Sequence, residues 1–186
     1  MSEDVRELID RCLAGDTVAM AELVELYRGH VFGLCYRMLG HRQDAEDATQ
    51  ETFLRVFRAL RTYDRDRDFR PWLLAIAGNR CRSHISSRYR RPRPRRLTGD
   101  GDEMVDGSPH PAGERELVEE VELALDQLRE EYRQAFLLFH EQQLSYAEIG
   151  EALGCPVGTV KTWVHRARRE MAEWIRRRGV VEEVER

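Results

Sequence analysis

The chain has 186 residues, of which 41% are hydrophobic and 34% are charged, and its formal net charge is −4. This length allows one medium-sized domain or two small ones with modest cores. No apolar run is long enough to span a bilayer, and the acidic start, MSEDVRELID, lacks the basic and apolar segments of a secretory signal. We therefore expect a cytoplasmic protein that does not insert into membranes.

Helical periodicity dominates the first 91 residues. Apolar residues recur there at spacings of three and four, while the alternation typical of strands is almost absent. The pattern predicts four helices, over Glu3–Leu13, Thr17–Met38, Asp44–Leu60 and Arg70–Tyr89. Asp16 is a suitable N-cap for the second helix, Gly40 ends it, and Pro71 fits the first turn of the fourth. Because the later part of the chain has the same periodicity, we predict an all-α protein.

The third predicted helix has a polar face that includes an isolated leucine. Its sequence, DAEDATQETFLRVFRAL, places apolar residues on one side and a stripe of mixed charge on another. The stripe consists of Asp47, Gln50, Glu51, Arg55 and Arg58, with Leu54 among them. From these residues alone, the simplest interpretation is a solvent-exposed face.

The fourth predicted helix begins apolar and becomes strongly basic. Between Arg80 and Arg96 there are eight arginines and no acidic residue, so the local charge differs sharply from the net charge of −4. A basic helix with aromatic residues close to it suits single-stranded or melted DNA. A solvated basic helix is the alternative interpretation.

Residues 92–113 interrupt the helical pattern. This segment is rich in proline, glycine and charge and has almost no apolar residue, so it cannot bury enough surface to offset the entropy lost on ordering. We predict a flexible acidic linker here. Helical periodicity resumes over residues 114–178, and residues 179–186 form a tail. We therefore expect two small helical domains, the first over residues 1–91, joined by the linker.

The segment LSYAEIGEALGCPVGTVKTWVHRAR, which begins at Leu144, predicts two short helices separated by a turn. Ser145 and Glu148 have the spacing of a capping box, and Gly154 allows a sharp turn. The second helix has an apolar stripe formed by Val157, Val160, Val164, Ala167 and Met171. Its outer face is small, polar and basic, and consists of Gly158, Thr159, Lys161, Thr162, His165, Arg166 and Arg169. This pattern is typical of a helix-turn-helix that enters the DNA major groove; a helical hairpin with a solvated basic face is the alternative.

No pattern in the sequence indicates a metal site, a cofactor or an enzyme active site. The cysteines, Cys12, Cys35, Cys81 and Cys155, form no C-x-x-C pair, and the six histidines are scattered. Phosphate-binding loops and groupings of a nucleophile with a base are also absent. We therefore expect no cofactor, no metal and no catalytic residue, and we expect the cysteines to be small buried apolar groups in a reducing compartment.

Three stretches, DAEDATQETFLRVFRAL, FRPWLLAIAGN and LSYAEIGEALGCPVGTVKTWVHRAR, occur in this order with the acidic linker between the last two. In that arrangement the chain resembles the bacterial RNA polymerase sigma factors of the extracytoplasmic-function (ECF) type. The resemblance implies a transcription initiation factor without enzymatic activity. Its first domain would bind core RNA polymerase and melt the −10 promoter element, and its second would recognise the −35 element. The implied partners are core RNA polymerase and double-stranded and melted promoter DNA; relatives often have an anti-sigma factor as well.

The resemblance also implies roles for individual residues. The positions that match the polymerase-contacting helix are Asp47, Gln50, Glu51, Leu54, Arg55 and Arg58. Those that match the surface for −10 DNA are Tyr63, Phe69, Asn79, Arg80, Arg82, Ser83, Arg88 and Arg90. Those that match the surface for −35 DNA are Thr159, Lys161, Thr162, His165, Arg166 and Arg169.

Four positions depart from the family pattern. Ser83 stands where an acid or amide is frequent, which puts one −10 contact in question, and Arg129 replaces a frequent proline. Trp163 and His165 are unusual in the recognition helix, so the promoter sequence does not follow from those of relatives. Two other functions remain open at this point. One is a dimeric helix-turn-helix regulator, which would leave the third helix without a role, and the other is a sigma-like protein that does not initiate transcription.

Overall fold

The computed structural model describes residues 3–90 and 112–178, and the side chains of residues 4–87 and 120–178. Its helices are α1 (Glu3–Leu13), α2 (Thr17–Leu39), α3 (Arg42–Ala59), α4 (Phe69–Arg90), α5 (Ala112–Gln127), α6 (Glu130–His140), α7 (Tyr146–Leu153) and α8 (Val157–Arg177). A short 3-10 turn, Leu60–Thr62, follows α3. Every regular element in the described ranges is helical, which confirms the predicted all-α fold.

The observed helix boundaries are close to the predicted ones. The first helix has the predicted bounds, and α3 begins at Arg42 rather than Asp44. The fifth helix begins at Ala112, inside the segment predicted to be the linker. The rest of that segment, residues 92–111, and the predicted tail, residues 179–186, lie outside the described residues.

The predicted caps of α2 are present. One carboxylate oxygen of Asp16 accepts hydrogen bonds from the backbone N–H groups of Val18, at 2.9 Å, and Ala19, at 3.1 Å. Such a cap contributes about 1 kcal/mol to stability. At the other end, Gly40 has φ 63°, a left-handed conformation that glycine adopts without steric cost. These local interactions set the length of the longest helix in the first half of the chain.

Helices α1 to α4 form what we call the N-terminal module. In it, α2 packs against α1, α3 and α4, and α3 also packs against α4. The central side chains are fully buried, and include Leu23, Leu34, Met38, Leu73 and Leu74. Truncation of one such leucine to alanine typically costs about 2–5 kcal/mol. This core holds the outer faces of α3 and α4 in a defined orientation.

Helices α5 to α8 form what we call the C-terminal module. Here α8 packs against α5, α6 and α7. Most of the predicted apolar stripe of α8 is buried, namely Val160, Val164, Ala167 and Met171. The prediction was wrong for Val157, which is 40% exposed. Val157 is the first residue of α8 and lies beside Gly150, which has no side chain to cover it.

The two modules lie against each other. Helices α2 and α4 contact α6, and α4 also contacts α7. The helical pattern of the sequence contains no information about this contact, because it links residues that are far apart in the chain. Within the described residues, none of the helices combines the length and apolar character needed to cross a bilayer.

Candidate polymerase and DNA interface

The mixed-charge stripe of α3 faces outward, as the helical pattern predicts. Its residues are exposed except for Glu51, which is half-buried because it forms an ion pair with Arg80 of α4. Leu54 is 56% exposed, although the neighbouring residues Phe53 and Val56 of the same helix are buried. The stripe therefore presents charged groups around one uncovered apolar side chain.

Leu54 borders an apolar groove of about 360 Å³ between α2 and α3. Phe53 and Phe57 of α3 also line this groove, together with Val24 and Arg28 of α2. Sequence reasoning missed the two α2 residues, because only the packing of α2 on α3 places them beside the stripe. An apolar groove bordered by charge suits a helical or extended protein partner.

Two residues predicted to contact −10 DNA are buried. Tyr63 is 6% exposed and Phe69 is 1% exposed, and both pack in an aromatic cluster with Trp72 and Tyr27. The Tyr63 hydroxyl donates a hydrogen bond to the carbonyl of Arg67. In this conformation neither ring can stack on a base. The cluster instead anchors the charged loop over residues 64–68 to α4.

The other predicted −10 residues lie along α4. Asn79 and Ser83 are exposed; Asn79 accepts a hydrogen bond from Arg82, and the Ser83 hydroxyl donates to the Asn79 carbonyl at 3.0 Å. Arg80 is turned toward α3, where it pairs with Glu51. The side chains of the remaining two, Arg88 and Arg90, lie outside the described residues, although α4 extends to Arg90. The structure thus brings Asn79, Arg82 and Ser83 to one surface and separates Arg80 from them.

The predicted helix-turn-helix is present in α7 and α8. The Ser145 N–H donates to Glu148 Oε2 at 2.7 Å, and the Glu148 N–H donates to Ser145 Oγ at 3.2 Å, which confirms the capping box. Gly154 has φ 65° and ends α7. A Cβ at Gly150 would lie 2.9 Å from the carbonyl oxygen of Cys155, so the turn also depends on a glycine within α7. These features set the angle at which α8 leaves α7.

The outer face of α8 exposes Lys161, Thr162, His165, Arg166 and Arg169, while Thr159 is half-buried. The Thr162 hydroxyl donates to the Gly158 carbonyl at 2.8 Å and is therefore engaged by its own helix. Arg166 Nη1 donates to the hydroxyl of Tyr132 at 2.8 Å, and this bond raises the pKa of the guanidinium. Arg166, one of the residues predicted to contact −35 DNA, is thus held against α6 by Tyr132, a residue that no local sequence signal singles out.

The described residues contain no group of three or more His, Cys, Asp or Glu side chains arranged to hold a metal ion. Cys12, Cys35 and Cys81 are buried, as expected for small apolar groups, and Cys155 is partly exposed.

Comparison with known proteins agrees with this geometry. Residues 23–91 match the family model Sigma-70 region 2, and residues 118–171 match Sigma-70, region 4. The chain is 35% identical to RNA polymerase sigma-H factor of Pseudomonas aeruginosa over 175 residues, covering 89% of this chain and 91% of that protein. It is 34% identical to ECF RNA polymerase sigma factor SigW of Bacillus subtilis over 185 residues, covering 92% of this chain and 97% of that protein.

Solved structures show a similar fold. CnrH, in a complex with the cytosolic domain of CnrY, is 26% identical and superposes with a TM-score of 0.66, covering 91% of this chain and 96% of that one. The sigma factor RpoE of Bartonella quintana, in a complex with the anti-sigma factor NepR, is 20% identical and superposes with a TM-score of 0.64. The match covers 84% of this chain and 96% of that one. Since the family matches fall on the two modules and the relatives match over nearly their whole length, the chain belongs to the ECF family of RNA polymerase sigma factors.

Proposed function

We propose that this sigma factor binds core RNA polymerase through the α3 stripe and its groove, opens DNA with α4, and recognises the −35 element with α8. It catalyses no covalent reaction itself. Strand opening would be driven by binding, because bases captured by the first module stabilise the melted state. Such a protein acts in the cytoplasm, where polymerase transcribes the chromosome.

The observation that supports the polymerase contact is the uncovered Leu54 at the edge of the α3 groove. An exposed leucine beside an apolar groove, with acidic and basic residues around it, suits an interface in which a partner covers the apolar centre and the charges form the rim. Asp47 and Arg55 flank it on the same helix face and can set the orientation of the partner.

The DNA contacts fall on separate surfaces. On α4 the described candidates are Asn79, Arg82 and Ser83, followed in the chain by the basic residues Arg88 and Arg90. Tyr63 and Phe69 act there as supports for the neighbouring loop rather than as contacts. On α8 the exposed residues are those of a major-groove recognition helix.

A protein partner is also part of the proposal. CnrH, a structural relative, was solved with the cytosolic domain of CnrY bound. We include an anti-sigma factor among the partners of this chain on that basis. Such a partner would compete with core polymerase if it covered the α3 groove.

The polymerase contact is tested with a matched pair of leucines. Leu54 is 56% exposed at the groove, and Leu26 of α2 is 53% exposed but does not line it. We expect Leu54→Ala to weaken binding to purified core polymerase by roughly tenfold, as expected for a central interface residue, and Leu26→Ala to leave it unchanged. Equal affinities for both variants, measured by titration with labelled protein, would show that the groove is not the polymerase contact.

Transcription itself is tested by run-off assays with purified core polymerase on genomic fragments. Specific transcripts that depend on the added protein are the expected result. A protein that binds DNA sites but yields no transcript with core polymerase would instead be a regulator or a non-initiating relative of sigma factors.

A further inference from the structure

Two aromatic rings stack on each other where α6, α7 and α8 meet. Phe139 lies at the end of α6, next to its last residue, and Tyr146 is the first residue of α7. Their ring centroids are 4.5 Å apart and their planes differ by only 8°, so the rings lie face to face. Both side chains are half-buried, which leaves part of the pair accessible from outside the C-terminal module.

A positively charged side chain of α8 lies over each ring of this pair. The guanidinium carbon of Arg168 is 5.4 Å from the centre of the Phe139 ring, and Nζ of Lys161 is 6.0 Å from the centre of the Tyr146 ring. Cations at this distance are attracted by the negative face of an aromatic ring. The four side chains form what we call the cation–ring row, in the order Lys161, Tyr146, Phe139 and Arg168.

Arg168 is held by a second contact, with His140 at the end of α6. Arg168 Nε donates a hydrogen bond to His140 Nε2 at 2.9 Å. Because Nε2 accepts this bond, the ring proton of the neutral imidazole lies on Nδ1. Burial, followed by the charge of Arg168, lowers the pKa of His140, which favours the neutral form that can accept the bond. The Phe136 ring, 4.4 Å from the imidazole, packs on it from the same helix.

These contacts leave most of the hydrogen-bond donors of Arg168 free. A guanidinium has five N–H donors, and the bond to His140 uses the one on Nε. The four donors on the two Nη atoms remain available, and such a planar fork can pair with two oxygens of one phosphate. The Arg168 side chain is therefore oriented at its base and open at its tip.

The two positive charges of the row have no acidic partner. Among the described residues, no carboxylate forms an ion pair with Arg168 or with Lys161. At the far end of α8, in contrast, Arg177 pairs with Glu173 at 2.6 Å. Both residues of the row are also exposed. A surface that keeps exposed cations without acidic neighbours attracts an anion.

Both cations lie on the same side of α8. Arg168 follows Lys161 by seven residues, which is close to two turns, or about 10.5 Å along the helix axis. His165 is exposed on the same side, between them. At about 100° per residue, Arg166 lies roughly 160° around the helix from Arg168 and bonds to Tyr132 there. The row therefore forms one border of the outer face of α8, and a helix in the major groove meets phosphates at its borders.

We propose that Arg168 binds a phosphate at one edge of the −35 element. The hydrogen bond to His140 and the stacked rings of the cation–ring row position Arg168 for this contact. The inference rests on the proposed function of α8, and Arg168 is not among the residues that the sequence predicted to contact −35 DNA.

The restraint on Arg168 has a direct consequence for affinity. A long basic side chain loses rotamer freedom when it binds, and a side chain that is already held loses less. Phosphate contacts fix the position of a recognition helix on the duplex, whereas base contacts provide the sequence preference. The contact of Arg168 therefore adds affinity for every −35 sequence alike and helps to set the register of α8 on the DNA.

The contact is tested by phosphate ethylation interference, with the full chain bound to core polymerase on a promoter fragment identified by run-off transcription. Ethylation removes the charge of one phosphate, so it weakens binding wherever that phosphate is contacted. We expect the wild type to show interference at phosphates that border the −35 element and Arg168→Ala to lose the signal at one edge. The matched control is Arg177→Ala, which removes an exposed arginine of the same helix that pairs with Glu173 and should keep the wild-type pattern. An unchanged pattern in Arg168→Ala would overturn the proposal.

Salt dependence gives a second measurement of the same contact. Each phosphate contact contributes about 0.9 to the exponent that relates affinity to salt concentration. Between about 50 and 200 mM salt, the affinity of the wild type should therefore fall roughly threefold more than that of Arg168→Ala, whichever −35 sequence is used. Equal salt dependence of the two proteins, or altered sequence preference in Arg168→Ala, would contradict a phosphate contact.

The positioning role of His140 is tested by removing and restoring its acceptor. His140→Ala leaves Arg168 Nε without a partner, whereas His140→Gln offers an amide oxygen in its place. We expect promoter affinity to fall roughly two- to tenfold in His140→Ala and to recover in His140→Gln. Combining His140→Ala with Arg168→Ala should cause no loss beyond that of Arg168→Ala alone, because His140 acts through Arg168. Losses that add in the double variant would overturn the positioning role.

The same measurements separate this inference from the proposed function of α8. Interference that persists around the −35 element in the wild type and is identical in Arg168→Ala would leave that function intact and refute only the contact of Arg168. If no fragment is transcribed, or if the wild type shows no interference around the −35 element, the proposed function fails and the contact fails with it.

Discussion

The ring of Tyr63 is enclosed by Phe69 and Trp72, and its hydroxyl donates to the Arg67 carbonyl. Burial, followed by the nearby carboxylate of Asp68, raises the pKa of Tyr63 to about 12. The resemblance to sigma factors made this side chain a candidate for DNA contact. The rings around Tyr63 make it a structural residue that holds the loop before α4 in place. Its raised pKa is a consequence of the same enclosure.

The raised pKa of Tyr63 predicts a loss of stability in alkali. The folded state holds this proton until about pH 12, whereas the unfolded chain releases it near pH 10. The contribution is therefore complete below pH 10 and is lost as the pH rises from 10 to about 12. We expect the free energy of unfolding of the wild type to fall by about 2 kcal/mol more than that of Tyr63→Phe over this range. Urea unfolding at pH 9 and pH 11.5 measures the difference.

The comparison of the two proteins removes the effect of the other tyrosines, which titrate in both. At neutral pH, Tyr63→Phe should cost about 1 kcal/mol through loss of the hydrogen bond to Arg67. Parallel stability curves for the two proteins up to pH 12 would mean that Tyr63 is solvated and that the aromatic cluster does not enclose it.

At the scale of elements, local sequence signals set the ends of α7, whereas packing sets the direction in which the outer face of α8 points. The capping box of Ser145 with Glu148 and the left-handed Gly154 determine where α7 starts and stops. The buried stripe of α8 then orients its outer face away from the module. What the stripe leaves undetermined is the direction of each outer side chain, and the bond between Arg166 and Tyr132 is the clearest case.

Arg166 and Lys161 should act differently when α8 meets the −35 element. The guanidinium of Arg166 has the planar shape that pairs with two acceptors of a guanine, whereas Lys161 lies nearer the start of the helix as a point charge suited to phosphate. We expect Arg166→Ala to relax sequence preference at one −35 position by roughly tenfold or more, and Lys161→Ala to weaken all sequences alike with a shallower salt dependence. Selection from a −35 library at two salt concentrations distinguishes them.

A matched variant tests whether Tyr132 restrains Arg166. Tyr132→Phe removes the hydroxyl that holds the guanidinium but keeps the ring in its buried place. This variant should retain the sequence preference that Arg166→Ala loses. In the same library selection, the two roles would be reversed if Arg166→Ala kept its full sequence preference and Lys161→Ala lost it. If neither variant changed sequence preference or affinity, α8 would not recognise the promoter.

For the whole molecule, the packing of the two modules decides whether they separate after the chain between them is cut. The composition of residues 92–113 predicts a segment open to proteases, and on sequence alone the two halves would then separate. The structure instead shows α6 and α7 packed on α2 and α4, with Gln134 and Gln142 enclosed. The contact is an interface between folded units, so it does not require the connecting chain.

We therefore expect limited proteolysis within residues 92–111 to yield two helical fragments that elute together in gel filtration at low salt. Higher salt should separate them in part, because pairs such as Arg37 with Glu122 and Arg67 with Glu151 are partly exposed and are screened. Two separate peaks at low salt would contradict a stable contact. A first cut between Thr17 and Tyr89 would instead contradict the proposed domain boundary.

The sequence by itself determined the features that depend on neighbours within a few residues. Helical periodicity, the caps at Asp16 and Ser145, and the turn at Gly154 depend on interactions across two to four residues, so a single sequence is sufficient to locate them. The resemblance to sigma factors also rests on such segments. The outward orientation of the α3 stripe followed from the same periodicity.

Only the tertiary structure decided which side chains another element covers. Tyr63 and Phe69 became interior residues because α2 and α4 close around them, and Arg166 bonds to a tyrosine 34 positions away in the chain. Gly78 is a further case, since the side chain that packs directly against it, Gln134, belongs to the other module. Contacts between distant residues depend on how whole surfaces fit, and the repeat of apolar residues along one helix contains no record of the surface that will meet it.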